Sequence, residues 1–174
     1  MSRIHPTIIQ GGMGVAVSSW QLANAVARSG QLGVVSGTAL DGVVARLLQD
    51  GDPGGHVRRA IAHFPVPEIA ERVLAAYFLP GGRAEGQPYR PHPTLTISPS
   101  RAAIELSLVG NFVDVWLAKE GHDGVVGINF LQKIQTATLS ATLGAMLAGV
   151  DYVLMGAGIP KEMPRVLTEF AAGR

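Results

Sequence analysis

The chain has 174 residues, a formal net charge of +1 and no cysteine, which suits one domain of ordinary size. Its basic residues are scattered, so nucleic-acid binding is not expected, and the lack of cysteine excludes disulfides, thiolate metal sites and a cysteine nucleophile. The sequence shows neither a signal-peptide pattern nor an apolar run of about 18 residues, so a soluble, cytoplasmic protein without membrane contact is expected. The histidines and carboxylates lack metal-ligand spacing, and no metal site is predicted.

Apolar, β-branched segments alternate with helical segments along the chain, which is the pattern of a parallel α/β fold. Ser18 and Ser19 are suited to cap the first helix, Asp41 the second and Ser100 the long one. The strands are predicted over residues 7–10, 32–36, 124–130 and 151–155, and the helices over 20–28, 42–49, 56–62, 68–78, 101–119, 137–148 and 161–170.

The middle of the chain, residues 51–122, departs from this alternation and is interpreted as an inserted excursion of helices and loops after the second strand. Within it, residues 79–93 are rich in glycine and proline, which indicates a mobile or ligand-covering loop. There is no internal repeat and no second domain, so residues 1–174 are interpreted as one unit.

Three glycines follow the first predicted strand in the segment Gly11-Gly12-Met13-Gly14. Glycine lacks a Cβ, so the backbone here is free to adopt unusual angles or to lie close to a ligand. The flexible side chain of Met13 is suited to cover a flat ring. A tight structural turn explains the same composition. Binding is favoured because each of the four predicted strands has Gly, Ser or Asn at or next to its last residue, and the carboxyl ends of parallel strands form the ligand face of α/β folds.

The strings IIQGGMG, SSWQLANAVARSGQLGVVS, GINFL and AMLAGVDYVLMGAGIP, in this order, resemble the N-terminal half of the nitronate monooxygenase family, formerly the 2-nitropropane dioxygenases. Residues 131–135 are similar to a branch associated with polyunsaturated fatty acid and polyketide synthesis. These proteins are FMN-dependent TIM barrels. The resemblance implies an α/β fold that holds about the first four β-α units of a (β/α)8 TIM barrel. It also implies FMN as the cofactor and a nitronate or acyl compound as the small-molecule substrate.

By this resemblance, the cofactor would contact the first loop and the ends of the later strands. Many family members have Pro at the position of Gly12. The family's catalytic His has no matching position here and is expected beyond Arg174. The implied cofactor-binding residues are Gly11, Gly12, Met13, Gly14, Ser36, Asn129, Gly156, Ala157 and Gly158, with Gly37 beside Ser36.

A TIM barrel needs eight β-α units, and four core strands are predicted here. The expectation is therefore a truncated protein that is inactive alone, or that needs a second copy or a C-terminal half. Unpaired edge strands favour such self-association. The main hypothesis is an FMN-dependent monooxygenase that oxidises alkyl nitronates with O2. The alternatives are an FMN-dependent enoyl-acyl carrier protein reductase and a non-catalytic half-barrel that serves as an interaction module.

The other candidates for chemistry have ordinary structural explanations. His92 and His122 are placed in loops and expected in solvent. Asp114 is expected on the solvated face of its helix, and Lys133, which follows the third strand, is interpreted as a surface residue. No dinucleotide fingerprint, phosphate-binding loop or nucleophile elbow occurs in the sequence.

Overall fold

A parallel sheet packed against helices forms the centre of the computed structural model, which describes residues 5–174. The chain is therefore a mixed α/β protein, as its sequence predicts. The strands are β1 (Gly33–Ser36), β2 (Val126–Leu131) and β3 (Tyr152–Gly156). The helices are α1 (Trp20–Arg28), α2 (Leu40–Gln49), α3 (His56–Ile61), α4 (Pro67–Tyr77), α5 (Arg101–Lys119), α6 (Gln135–Leu147) and α7 (Met163–Ala171), and a short 3-10 helix spans Pro53–Gly55.

The three strands are parallel and lie in the order β1-β2-β3. In this register Ser36 pairs with Asn129, and Leu131 pairs with Gly156. The last residues of all three strands therefore lie at the same side of the sheet, called the carboxyl edge below. In α/β folds this side carries the ligand.

The predicted first strand, residues 7–10, is wrong as a strand, because only Ile9 forms a parallel bridge, with Leu32. Two backbone hydrogen bonds support the bridge, from Gln10 N–H to Leu32 O at 3.0 Å and from Leu32 N–H to Ile8 O at 3.1 Å. Ile8 and Ile9 remain 62% and 59% exposed. The segment thus buries too little apolar surface to extend its pairing before the glycines begin, although it still lies beside the start of β1.

Helix α5 is buried almost all round, because α1, α2, α3 and α6 pack against it. Two glycines make this close packing sterically feasible. A Cβ on Gly110 would lie 2.7 Å from Leu40 O, and one on Gly144 would lie 2.2 Å from Leu108 O. Helix α5 therefore joins the sheet layer to the helices of residues 51–122 in one packed core.

The predicted helix caps are confirmed at Ser100 and not at Ser19 or Asp41. Ser100 Oγ accepts a hydrogen bond from Ala103 N–H at 3.3 Å, which satisfies one free donor at the start of α5. Ser19 occupies the cap position of α1 without a side-chain bond, and Asp41 lies inside the first turn of α2.

The prediction that Asp114 lies on a solvated face is wrong, since its side chain is buried in α5. The helix is covered on every side, so it has no solvated face at this point. Burial raises the pKa of Asp114 to about 7, because a poorly solvated environment disfavours the carboxylate. Ser107 and Asn111, at helical spacing before Asp114, are also buried, so α5 carries a polar stripe inside the core.

Burial differs sharply between the two ends of the sheet. All four residues of β1 are buried, whereas every residue of β3 is half-buried. Within residues 5–174, no strand pairs with the outer edge of β3. Its start is held by Asp151, whose carboxylate accepts hydrogen bonds from Lys119 Nζ at 2.6 Å and from Val126 N–H at 3.0 Å.

Candidate functional site

Asn129 joins three of the predicted site segments at the carboxyl edge. Its Nδ2 donates a hydrogen bond to Gly12 O at 2.9 Å, and its backbone O accepts one from Gly37 N–H at 2.9 Å. Its Oδ1 lies 3.9 Å from the position that a Cβ on Gly156 would take. The glycine segment, the end of β1 and the end of β3 therefore meet around one amide side chain.

Ser18 holds the glycine segment in place instead of capping α1. Its buried hydroxyl donates to Gly11 O at 2.9 Å and accepts from Met13 N–H at 3.0 Å. Its backbone O accepts from Ser36 N–H at 2.9 Å. Ser36, a predicted cofactor contact, is buried and supports the segment through its backbone. Sequence reasoning missed this role of Ser18, since a serine before a helix normally predicts a cap.

Gly11 and Gly156 are exceptional among the 22 glycines of the chain. Each of the others either has a positive φ or lies so close to a neighbour that a Cβ would come within 3.0 Å of it. A Cβ on Gly11 would meet only Met13 Cγ, at 3.9 Å, and one on Gly156 would make contacts no shorter than 3.7 Å. Folding does not require glycine at these two positions, and both lie at the carboxyl edge.

The other predicted residues either lie on the exposed rim of this site or are explained by the local backbone conformation. Met13 is 63% exposed. Gly14 and Ala157 have φ values of 73° and 56°, as tight turns require. A Cβ on Gly158 would come within 2.6 Å of Gln132 Cγ. The tight turn therefore explains Gly14 and the close approach of Gln132 explains Gly158, whereas the side chain of Met13 is mostly exposed.

Alanine substitution is expected to destabilise the protein at Gly12 and to leave its stability nearly unchanged at the neighbouring Gly11. At Gly12 the new methyl group would lie 2.6 Å from Val34 Cγ1 and 2.7 Å from Val35 O. Such overpacking costs about 1–3 kcal/mol. Urea unfolding should therefore show a loss of this size for Gly12→Ala and a change below about 0.5 kcal/mol for Gly11→Ala. Equal stability of the two variants would contradict the packing described here.

A cavity of about 330 Å³ that was not predicted from the sequence lies after the ends of β1 and β2, and Gly37 is the one predicted site residue that lines it. The loops that follow β1 and β2 form its walls, and residues 92–95 cover it. The signal that could have found it is the position of these loops directly after the strand ends. Its lining residues are Gly37, Thr38, Ala39, Asp41, His92, Thr94, Leu95, Phe130, Leu131, Ile134, Thr136, Ala137 and Thr138.

Hydrogen bonds with the side chains of Gln49 and Asp50 connect the loop of residues 79–93 to the end of α2. The buried amide of Gln49 accepts from Arg90 N–H at 2.6 Å and donates to Arg90 O at 3.3 Å. The carboxylate of Asp50 accepts from Tyr89 Oη at 2.8 Å and from Arg83 Nε at 2.9 Å. These bonds direct the following residues along α2 towards the carboxyl edge.

The two loop histidines are half-buried, so the prediction that they lie in solvent is wrong. His92 lines the cavity and lies against Gly42, where a Cβ would be 2.9 Å from its Nε2. His122 bonds to Ala118 O at 2.7 Å and accepts from Gly124 N–H at 3.0 Å, which is a structural role. Lys133 is exposed, as predicted.

Residues 5–174 contain no group of three or more His, Cys, Asp or Glu side chains that could hold a metal ion. In the same part of the chain, no helix has the length and apolar character needed to cross a membrane. Comparison with known proteins found no matching family model, curated protein or solved structure.

Proposed function

We propose that this chain is the FMN-binding part of a flavin-dependent oxidoreductase of the nitronate monooxygenase type. The observation that carries the proposal is the pair Gly11 and Gly156. Both lack a side chain where folding does not demand it, and both lie at the ligand-bearing edge of a parallel sheet. A flat aromatic cofactor needs backbone that it can approach closely, which is what these two positions offer.

The residues around these glycines fit the parts of a flavin ring. The Asn129 amide would hold the polar edge of the ring, with Oδ1 on the side of Gly156 and Nδ2 engaged by Gly12 O. Met13, exposed and polarizable, would cover the ring face. FMN, when bound, supplies the electron-transfer chemistry. The chain's own residues position the ring and shield it from water.

We further propose that the sheet is part of a (β/α)8 TIM barrel. The order of the strands, all parallel and consecutive with a helix after each, supports this proposal. The half-buried β3 and the exposed Ile8 and Ile9 provide two edges at which further strands would pair. A C-terminal half or a second copy of the chain would supply those strands.

The cavity favours a second candidate, an FMN-dependent enoyl-acyl carrier protein reductase. Its walls combine the apolar side chains of Leu95, Phe130 and Ile134 with threonine hydroxyls, which suits an acyl substrate as well as an alkyl nitronate. The two activities differ in the electron acceptor. Oxygen uptake with an alkyl nitronate would support the monooxygenase, and NAD(P)H-dependent loss of an enoyl thioester would support the reductase.

Retention of FMN tests the proposal directly. The chain should keep a visible flavin absorption band after it is mixed with FMN and desalted. The Asn129→Ala variant should lose most of that band, because it removes both the amide and the hydrogen bond to Gly12. Circular dichroism of both proteins is the control for folding. A folded, colourless wild-type chain would contradict the proposal for residues 1–174, and a non-catalytic interaction module would then be the better description.

A further inference from the structure

The cavity at the carboxyl edge continues into a second depression on the surface. This groove has a volume of about 560 Å³ and shares Leu95 and Thr136 with the cavity. It runs between residues 95–99, α5 and α6, and Phe170 of α7 lies at its border. A ligand seated beside the strand ends therefore has a path along the outside of α6.

The groove is lined mainly by aliphatic side chains that remain open to solvent. Leu139 is 57% exposed, Ile97 is 95% exposed and Ile104 is 37% exposed. Exposed apolar side chains grouped in one groove mark a binding surface more often than scattered ones do. From Thr136 to Leu143 the groove follows α6 for about 10 Å, at the helical rise of about 1.5 Å per residue.

The groove carries neutral polar side chains, Thr96, Gln135 and Ser140, whereas the ionisable side chains of the lining lie at the opposite end, in the cavity. Thr38, Thr94 and Thr136 contribute hydroxyl groups there, and His92 contributes an imidazole. Asp41 is the one carboxylate in the lining, and no lysine or arginine of residues 5–174 lines either space. A ligand with several negative charges would therefore find no charge partner in either space.

His92 is fixed at this end by the anchored loop. The hydrogen bonds between Gln49 and the backbone of Arg90 lie two residues before it, and the ring packs on Gly42 at the start of α2. The imidazole is therefore held in place beside the cavity, where it is suited to bond the head group.

We propose, on the basis of the proposed function, that the substrate has an unbranched alkyl chain of medium length. Its small polar head occupies the cavity near His92, and its chain lies in the groove over Leu139. The groove thus selects substrates by chain length, and short nitroalkane derivatives leave it empty.

Two leucines of α6 provide a matched test. Leu139 lies in the groove, whereas Leu147, 42% exposed on the same helix, lies outside both spaces. The probes are the N-acetylcysteamine thioesters of butanoic, hexanoic and octanoic acid, titrated calorimetrically into the 174-residue chain. In the wild type, affinity should rise about twofold to fourfold with each added methylene group. Leu139→Asp should abolish this rise, and Leu147→Asp should preserve it.

The outcomes separate this proposal from the proposed function. No dependence on chain length in the wild type, or an equal loss in both variants, would overturn the groove assignment. A change of oligomeric state in Leu139→Asp alone would also overturn it, because a second copy would then be the occupant. FMN retention measured on the same samples reports on the flavin site independently. If a colourless protein bound the thioesters with an affinity that depends on chain length, the groove proposal would stand and the FMN proposal would be rejected.

Discussion

Replacing Gly156 with valine is expected to leave the chain folded and to weaken its hold on FMN by more than about tenfold, or about 1.4 kcal/mol. The Cβ of the new side chain would meet protein atoms at ordinary contact distances of 3.7–3.9 Å. A β-branched residue also suits the end of β3, and removal of a strand glycine typically stabilises by about 0.5 kcal/mol. FMN, however, would lose its close approach to the backbone. Fluorescence titration of FMN measures the affinity.

The size series at this position provides the control. Gly156→Ala should weaken FMN binding less than Gly156→Val does, while urea unfolding shows both variants to be at least as stable as the wild type. Gly12→Ala gives the converse behaviour, since its methyl group strains the protein itself. Undiminished FMN affinity in a stable Gly156→Val protein would show that the ring does not approach β3.

Asp114→Asn is expected to stabilise the protein at pH 8 by on the order of 4 kcal/mol and to change its stability little at pH 4. The folded-state pKa of about 7 lies above the ordinary value of 3.8. Between these values the unfolded chain releases the proton while the folded chain retains it, so the wild type loses stability as pH rises from about 4 to 7. Each pKa unit corresponds to about 1.4 kcal/mol. The amide cannot ionise and avoids this cost.

Urea unfolding of the wild type and the variant, at several pH values between 4 and 8, measures this effect as a difference. Subtracting the two curves removes the contribution of the histidines, which is common to both. Asp123 is the matched control, because it is exposed and Asp123→Asn should shift stability by less than about 0.5 kcal/mol at any pH. A difference between Asp114→Asn and the wild type that does not grow with pH would contradict the burial of this carboxyl group in α5.

The class of fold could be predicted from local sequence because its signals are local. Each strand is a short β-branched segment, each helix has helical spacing of its apolar residues, and Ser100 has the oxygen that a helix start requires. The three core strands and the seven helices follow from such patterns, apart from shifts of a few residues at their ends. The prediction of a strand over residues 7–10 was wrong because a strand needs a neighbouring strand to pair with, and a local sequence pattern carries no information on such pairing.

The candidate site was predictable only in part. The strand ends and the Gly11–Gly14 segment are visible as residue types, and the fold brings Asn129 to Gly12. The sequence gives no sign that Gly12 is required by packing while Gly11 is not, since this depends on atoms of Val34 and Val35 far along the chain. His92 was also missed, because its position depends on bonds from Gln49 to a loop about 40 residues later.

The α/β class, the placement of helices and strands, and the grouping of small and polar residues at strand ends could be predicted, because these features depend on neighbours along the chain. The folded arrangement was needed to show that Asp114 is buried, that Ser18 holds the glycine segment and that His92 lines a cavity. Each of these depends on elements distant in sequence packing together. Burial and hydrogen bonding between such elements are properties of the folded chain, and they set both the pKa of Asp114 and the shape of the site.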